Sequence, residues 1–250
     1  GGLRPFFFVY STFLQRGYDQ VLHDVCIQNL PVVLMLDRAG ISNEDGQSHQ
    51  GLYDFAYLRH IPNMTVLAPA DAAELEAMIP AALQLGAPCA IRYPKNAECL
   101  PDGYAVDGFE IGCWQSLRRG DDAALVATGT MTAAALRVAD RLEAEDIRLT
   151  VVNASTVKPL DGACLDALFA RNIPILTLEE HVAMGGFGSA VLEYAAAVGA
   201  AVRIRTLAVG DFFVSHGDHA HLLKDVGLDD ESIAQAVRTT VREAGVCSVR

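Results

Sequence analysis

The chain has 250 residues, of which 51% are hydrophobic and 20% charged, with a formal net charge of −12. That length suits one large domain or two small ones, each able to bury a core. The acidic balance leaves no basic stripe to neutralise phosphates, which argues against nucleic acid and against anionic membranes as partners. An anionic small molecule remains compatible, provided local cations meet it, so individual Arg and Lys residues carry information. No apolar run approaches the roughly 18 residues of a membrane span. Six scattered cysteines without metal-ligand or redox spacing read as reduced thiols in a cytoplasmic protein.

The chain starts without Met and soon enters Pro5-Phe6-Phe7-Phe8-Val9-Tyr10, which reads as a buried strand. A domain opening on a core strand raises the expectation that something precedes it. Thr12 can cap a helix running to about residue 28, with Leu14, Val21, Leu22 and Val25 on one face. An apolar strand at 31–36 then delivers the chain to a polar, glycine-rich loop, Asp37-Arg38-Ala39-Gly40 through Asp45-Gly46-Gln47-Ser48-His49-Gln50-Gly51. Further strands are expected at 63–68 and 88–92, flanking a helix from Asp71 to about Leu85. The pattern breaks from Pro94 to about Asp122, a stretch with Pro101, several glycines and Trp114, which reads as a connection, with room for a short hairpin. Alternation resumes with strands at 123–127, 149–153, 173–178 and 202–207 and helices at 131–143, 161–170, 186–198, 218–226 and 229–244. The expected fold is therefore α/β, with two parallel-sheet domains.

The loop after residue 36 matters most, because ligands of open α/β sheets bind outside the carboxyl ends of strands. The Arg38 guanidinium offers bidentate hydrogen bonds to a phosphate or carboxylate, or pairs with Asp37 or Glu44. His49, between Gly46 and Gly51, can exchange protons near neutrality or serve as a structural histidine. Arg92-Tyr93-Pro94-Lys95 falls on the same carboxyl edge, as part of a phosphate pocket or as a strand-end Arg followed by a solvated Lys. At the first strand-to-helix turn, Tyr10 and Phe13 are placed to stack on a flat ring or to pack into the core, with Arg16 pointing from the helix start. Glu179-Glu180-His181 before Gly185-Gly186-Phe187-Gly188 matches no nucleotide-loop pattern. His216, His219 and His221 lack metal-ligand spacing, and Asp218 among them reads as a helix cap.

Together the segments resemble the 1-deoxy-D-xylulose-5-phosphate synthases, thiamine-diphosphate enzymes of the transketolase superfamily. The matching runs are Tyr10-Ser11-Thr12-Phe13-Leu14-Gln15-Arg16 with Tyr18-Asp19-Gln20, Asp37-Arg38-Ala39-Gly40, Asp45-Gly46, His49-Gln50-Gly51 and Arg92-Tyr93-Pro94. Val157-Lys158-Pro159-Leu160-Asp161, Glu179-Glu180-His181, Gly185-Gly186-Phe187-Gly188-Ser189 and Asp211-Phe212-Phe213 continue them in the family's order. The resemblance implies condensation of pyruvate with glyceraldehyde 3-phosphate, with loss of carbon dioxide, on thiamine diphosphate held with Mg2+. It implies that Phe13 stacks on the aminopyrimidine ring with Tyr10 beside it, and that Tyr10 also meets substrate. Arg38 and Lys95 would hold the aldehyde's phosphate, Arg16 would support that pocket, and Asp45 and His49 would line the reacting centre.

Three departures qualify it. Lys95-Asn96 stands where the family has Arg-Gly, replacing a fork with a point charge. Ser48 stands where Thr is usual. The family's Ala-Glu-Gln-His motif, and the domain bearing the diphosphate and magnesium ligands, lie upstream of the matched segments. The implied division is a partial pyrimidine-binding domain over 1–94, a linker over 95–121 and a transketolase C-terminal domain over 122–250. The chain alone is then expected to be inactive, as part of a homodimeric enzyme or joined to a missing N-terminal half. The alternatives are the C-terminal subunit of a split transketolase-like enzyme and a non-catalytic binding module.

Overall fold

Short runs of aliphatic and β-branched residues become strands, and most of them are followed by a helical return. The computed structural model describes residues 2–42, 46–95 and 98–245. The strands of the first part are β1 (Phe6–Tyr10), β2 (Val33–Asp37), β3 (Thr65–Leu67) and β4 (Cys89–Arg92). Those that follow are β5 (Gln115–Arg118), β6 (Ala123–Ala127), β7 (Leu149–Asn153), β8 (Thr156–Lys158), β9 (Ile175–Val182) and β10 (Ile204–Val209). They form two five-stranded sheets, ordered β1-β2-β4-β3-β8 and β10-β9-β6-β7-β5. Every pairing is parallel except those of β8 with β3 and β5 with β7. The protein is thus α/β with two mostly parallel sheets.

Period-two alternation explains how the first sheet fills both faces. Val33, Met35, Cys89 and Ile91 turn toward Met78 and Ala82 of the helix Ala72–Leu85. Leu34, Leu36 and Ala90 turn the other way, into a core that also contains Val126, Val152, Leu165 and Phe187 from the second part. The two sheets therefore share one apolar cluster. A separate cluster lies between the second sheet and the helices Met131–Glu143 and Asp230–Glu243. Asp71 caps its helix as its position suggests, accepting from the Glu74 amide (2.9 Å).

Several elements differ from the sequence-based expectation. The first strand is not fully buried: β1 is an edge strand, and Phe7 and Phe8 are 51% and 66% exposed. The helix after it occupies 11–26 but tightens and widens along its length, ending in a π-helical turn at Val21–Cys26. Asp54–Leu58 forms a short helix, and β8 carries the later part of the chain across to the first sheet. Within the expected linker, β5 is an edge strand, and buried Trp114 donates from Nε1 to the Thr156 carbonyl (2.9 Å) and packs edge-on against Phe187.

Candidate functional site

Parallel register sets the carboxyl edge of the first sheet, pairing Tyr10 with Asp37 and Leu36 with Arg92. Just beyond that edge the chain turns into the first helix at Tyr10 and into the polar loop at Arg38. Arg38 holds a left-handed backbone (φ 57°), its amide donating to Asp37 Oδ1 (2.7 Å). Its guanidinium lies 4.1 Å above the Tyr10 ring, with Asp37 Oδ2 4.0 Å from its Nε. Tyr10 stacks on Phe13 with centroids 5.1 Å apart, and Phe13 meets His49 edge-on at 5.5 Å. Ser48 Oγ is 2.9 Å from His49 Nδ1. Phe13 remains 42% exposed despite these neighbours, an aromatic face left open to solvent.

The structure thus brings Tyr10, Phe13, Arg38 and His49 into one chain of contacts. Arg16 is exposed, three residues beyond Phe13 and so on the same side of the helical turn. Lys95 is exposed and follows Tyr93, whose carbonyl accepts from the Ala39 amide (3.0 Å) and so keeps this segment beside the Arg38 turn. Asp45 lies outside the described residues.

The loop carrying Arg38 and His49 is closed at its base. Gly40 and Gly51 exchange two backbone hydrogen bonds of 2.8 Å. A side chain at Gly51 would run into the Arg38 carbonyl oxygen, and a Cβ on Gly40 (φ 87°) would lie 2.7 Å from Glu180 Oε1. Both positions therefore require glycine. Gln50 is buried; its Oε1 accepts from the Ser42 amide (2.6 Å) and its Nε2 donates to the Ser215 carbonyl (2.9 Å).

Beneath the loop runs a buried charged network. Arg92 is only 6% exposed and donates to Asp54 Oδ2 (3.0 Å) and to the carbonyls of Gly51 (3.1 Å) and Glu180 (3.2 Å). It also lies over the Phe55 ring. Arg92 therefore braces the loop from inside, as the strand-end alternative for this residue has it. Asp54 further accepts from Ser11 Oγ (3.1 Å), tying in the helix that bears Phe13. The sign of Asp54 was present in the sequence: it is the one acid in the run Leu52-Tyr53-Asp54-Phe55-Ala56-Tyr57-Leu58, where a carboxylate needs a buried partner.

Glu179 accepts from the amides of Phe187 (2.6 Å) and Gly188 (2.8 Å). It fills the helix N-terminus where a phosphate would otherwise sit. Burial raises its pKa to about 7. His181 stacks on Phe55; its Nδ1 faces its neighbour's carbonyl (2.8 Å) and its Nε2 receives the Ala56 amide (3.4 Å). These partners suit a neutral ring protonated at Nδ1, and burial lowers its pKa to about 4. His219 faces Glu180 and His221 faces Asp225, while Asp218 caps the helix His219–Asp225 by accepting from Ala220. Among the described residues, no three His, Cys, Asp or Glu side chains are grouped to hold a metal ion. A cleft of about 420 Å³ opens beside Tyr53 and Ala56, walled by Met184, Phe212 and Phe213.

Two family models match the chain: the transketolase pyrimidine-binding domain over residues 1–99 and the transketolase C-terminal domain over 112–233. The chain is 45% identical over 236 residues to the 1-deoxy-D-xylulose-5-phosphate synthase of Clostridium tetani, covering 94% of itself and 38% of that protein. To the Aquifex aeolicus synthase it is 45% identical over 244 residues, covering 96% and 38%. The chain thus spans well under half the length of these curated relatives. Among solved structures, a split-gene transketolase described as an inactive β4 tetramer matches with TM-score 0.85 and 32% identity, over 96% of this chain and 77% of that one. Transketolase from Leishmania mexicana shares the fold, with TM-score 0.80 and 20% identity, over 97% of this chain and 35% of that one.

Proposed function

This chain belongs to the transketolase family, and we propose that it forms the C-terminal part of a 1-deoxy-D-xylulose-5-phosphate synthase. The observation that carries the reading is the half-open aromatic face of Phe13, backed by Tyr10 and edged by His49, with a guanidinium over the same cluster. A flat ring laid on Phe13 would bury an apolar face that is otherwise in water, and an anion would find Arg38 beside it. These residues fit the aminopyrimidine end of thiamine diphosphate; the diphosphate and its Mg2+ are assigned to the part of the enzyme outside this chain. When bound, that cofactor supplies the carbanion chemistry for joining pyruvate to glyceraldehyde 3-phosphate with decarboxylation.

In this reading Phe13 and Tyr10 orient the ring, and Tyr10 also contacts substrate. Arg38 and Lys95 hold the aldehyde's phosphate with Arg16 in support, and Asp45 and His49 line the reacting centre, where His49 transfers a proton or hydrogen-bonds the carbonyl. Residues 1–94 are the partial pyrimidine-binding domain and 122–250 the C-terminal domain, joined by 95–121. In this reading the 250-residue chain alone makes no product, because the groups that hold the diphosphate and Mg2+ are assigned to another part of the enzyme. The working enzyme is a cytoplasmic homodimer. Likeness to the split-gene transketolase favours a second arrangement, in which this chain is a separate subunit that pairs with an N-terminal partner.

Calorimetric titration of glyceraldehyde 3-phosphate into the chain, with Arg38→Ala as control, tests the pocket. The reading expects binding that the substitution weakens by about tenfold to a hundredfold, as for loss of a charge-assisted contact. Equal binding by both proteins would contradict it.

A further inference from the structure

We propose that His219 is a positioning residue for the candidate site, clamping the 38–51 loop through the Glu180 carboxylate. The proposal builds on the reading of that loop as ligand-binding, although the clamp itself is a matter of loop order and can be measured separately.

Glu180 lies on β9, in the second sheet, yet its side chain reaches under the loop of the first. Oε1 accepts the Ile41 amide at 2.5 Å and faces His219 Nε2 at 3.3 Å. Gly40 leaves the space this carboxylate occupies. One oxygen therefore serves two donors, one in the loop and one in the segment before and into the helix His219–Asp225. A second tie runs parallel to it, from Ser42 through Gln50 to the Ser215 carbonyl. His216 lies beneath Gly46, with its Cβ 3.8 Å from where a Gly46 Cβ would stand. Residues 215–219 thus form a bracket against the loop that presents Arg38 and His49.

The charges around His219 decide what the bracket responds to. Glu180 faces it from β9, Glu98 from the segment after β4, and Asp218 from its own helix cap. Arg137 and Asp230 line the same small hollow, but Arg137 is committed to Glu98 (2.9 Å) and Asp230 (2.8 Å). The helix N-terminus disfavours a cation at its first residue, and three carboxylates oppose that. The hydrogen bond to Glu180 is the main cause that holds the imidazole above its usual range, against its partial burial. Charged His219 makes the Glu180 contact charge-assisted, and the neutral ring makes a weaker one. The clamp is fully engaged below the unperturbed imidazole value of about 6.5 and loosens as pH climbs through the raised pKa.

Hydrogen exchange by mass spectrometry tests this on the whole chain between about pH 5.5 and about pH 8.5, with rates corrected for intrinsic exchange. The variants are His219→Gln, His219→Arg and, as a control, His221→Gln, whose ring is exposed and faces Asp225. In the wild type, protection of amides 39–42 and 46–52 should fall about threefold to tenfold across that range. His219→Gln should show the low value at every pH, and His219→Arg the high value at every pH. His221→Gln should match the wild type, and the helix Phe187–Ala197 should be unchanged in all of them. An undiminished pH slope in His219→Gln would overturn the proposal. So would a uniform loss across the molecule that Arg does not rescue, since that marks a merely structural role. Failure of aldehyde-phosphate binding would remove the functional reading but leave the exchange result to decide the clamp; a flat exchange profile with intact Arg38-dependent binding would do the reverse.

Discussion

Replacing Asp54 by Ala would strip Arg92 of its carboxylate at a point where the two sheets meet. The side chains of Arg92 and Asp54 are 7% and 1% exposed, so solvent cannot take over the lost contact. Arg92 would keep its hydrogen bonds to the Gly51 and Glu180 carbonyls, but its buried charge would lose the carboxylate it is hydrogen-bonded to. Ser11 Oγ and the Phe55 amide would each lose an acceptor as well. Breaking a buried pair by removing one partner typically costs about 3–5 kcal/mol. For a chain of this size, at about 2–4 °C per kcal/mol, the melting temperature should fall by roughly 6–20 °C. Urea unfolding followed by circular dichroism measures the loss directly. Asp54→Leu combined with Arg92→Met should recover most of it, because an apolar pair has no charge to desolvate. A loss below about 1 kcal/mol for Asp54→Ala would refute the view that this pair holds the loop and first helix together.

Glu179 and His181 should produce opposing pH dependences that single variants separate. Glu179, with its folded pKa raised to about 7, favours the folded state least once ionised, so its contribution falls as pH rises from about 4.5 to 7. His181, with its folded pKa lowered to about 4, makes stability fall as pH drops from about 6.5 to 4. Urea titrations of Glu179→Gln should therefore expose the acid-side loss, and those of His181→Gln the decline toward neutrality; parallel curves for both variants and wild type would contradict the two shifts. Gly51→Ala should destabilise the chain by about 1–3 kcal/mol and raise hydrogen exchange around residues 38–51, since its methyl would meet the Arg38 carbonyl. Lys95→Arg should tighten aldehyde-phosphate binding, by restoring a fork in place of a point charge, and calorimetry showing no change would separate Lys95 from the phosphate.

Much of the fold was legible because most central strands are short apolar runs followed by a helical period, and that alternation admits few architectures. Asp71 and Asp218 announced helix starts through their side-chain chemistry, and both cap as expected. What could not be read was context. The sequence of β1 has the composition of a buried strand, but only the sheet order shows it lies at an edge. β8 is three residues long, and its pairing depends on a strand ninety residues earlier. Arg92 and Lys95 look alike in sequence, yet one is buried against Asp54 and the other is exposed, a difference set by tertiary partners alone. For the candidate site, Tyr10, Phe13, Arg38 and His49 were each visible as residue types at a strand end or in the segment that follows one. Asp54 carried a sign of its own, a lone acid in an apolar run, but the partnership of Ser11, Gln50, Asp54 and Glu180 did not, because it joins residues distant in the chain.

Whether this chain supplies the pyrimidine-binding part of a working synthase is read from product formation from pyruvate and glyceraldehyde 3-phosphate, with thiamine diphosphate and magnesium. Carbon-13 pyruvate followed by NMR would be supplied to the 250-residue chain alone and to a polypeptide in which an N-terminal diphosphate-binding part precedes it. Labelled 1-deoxy-D-xylulose 5-phosphate is expected from the longer polypeptide, is lost on Phe13→Ala, and does not form with the chain alone. Turnover by the chain alone, or full activity of the Phe13→Ala polypeptide, would contradict this expectation.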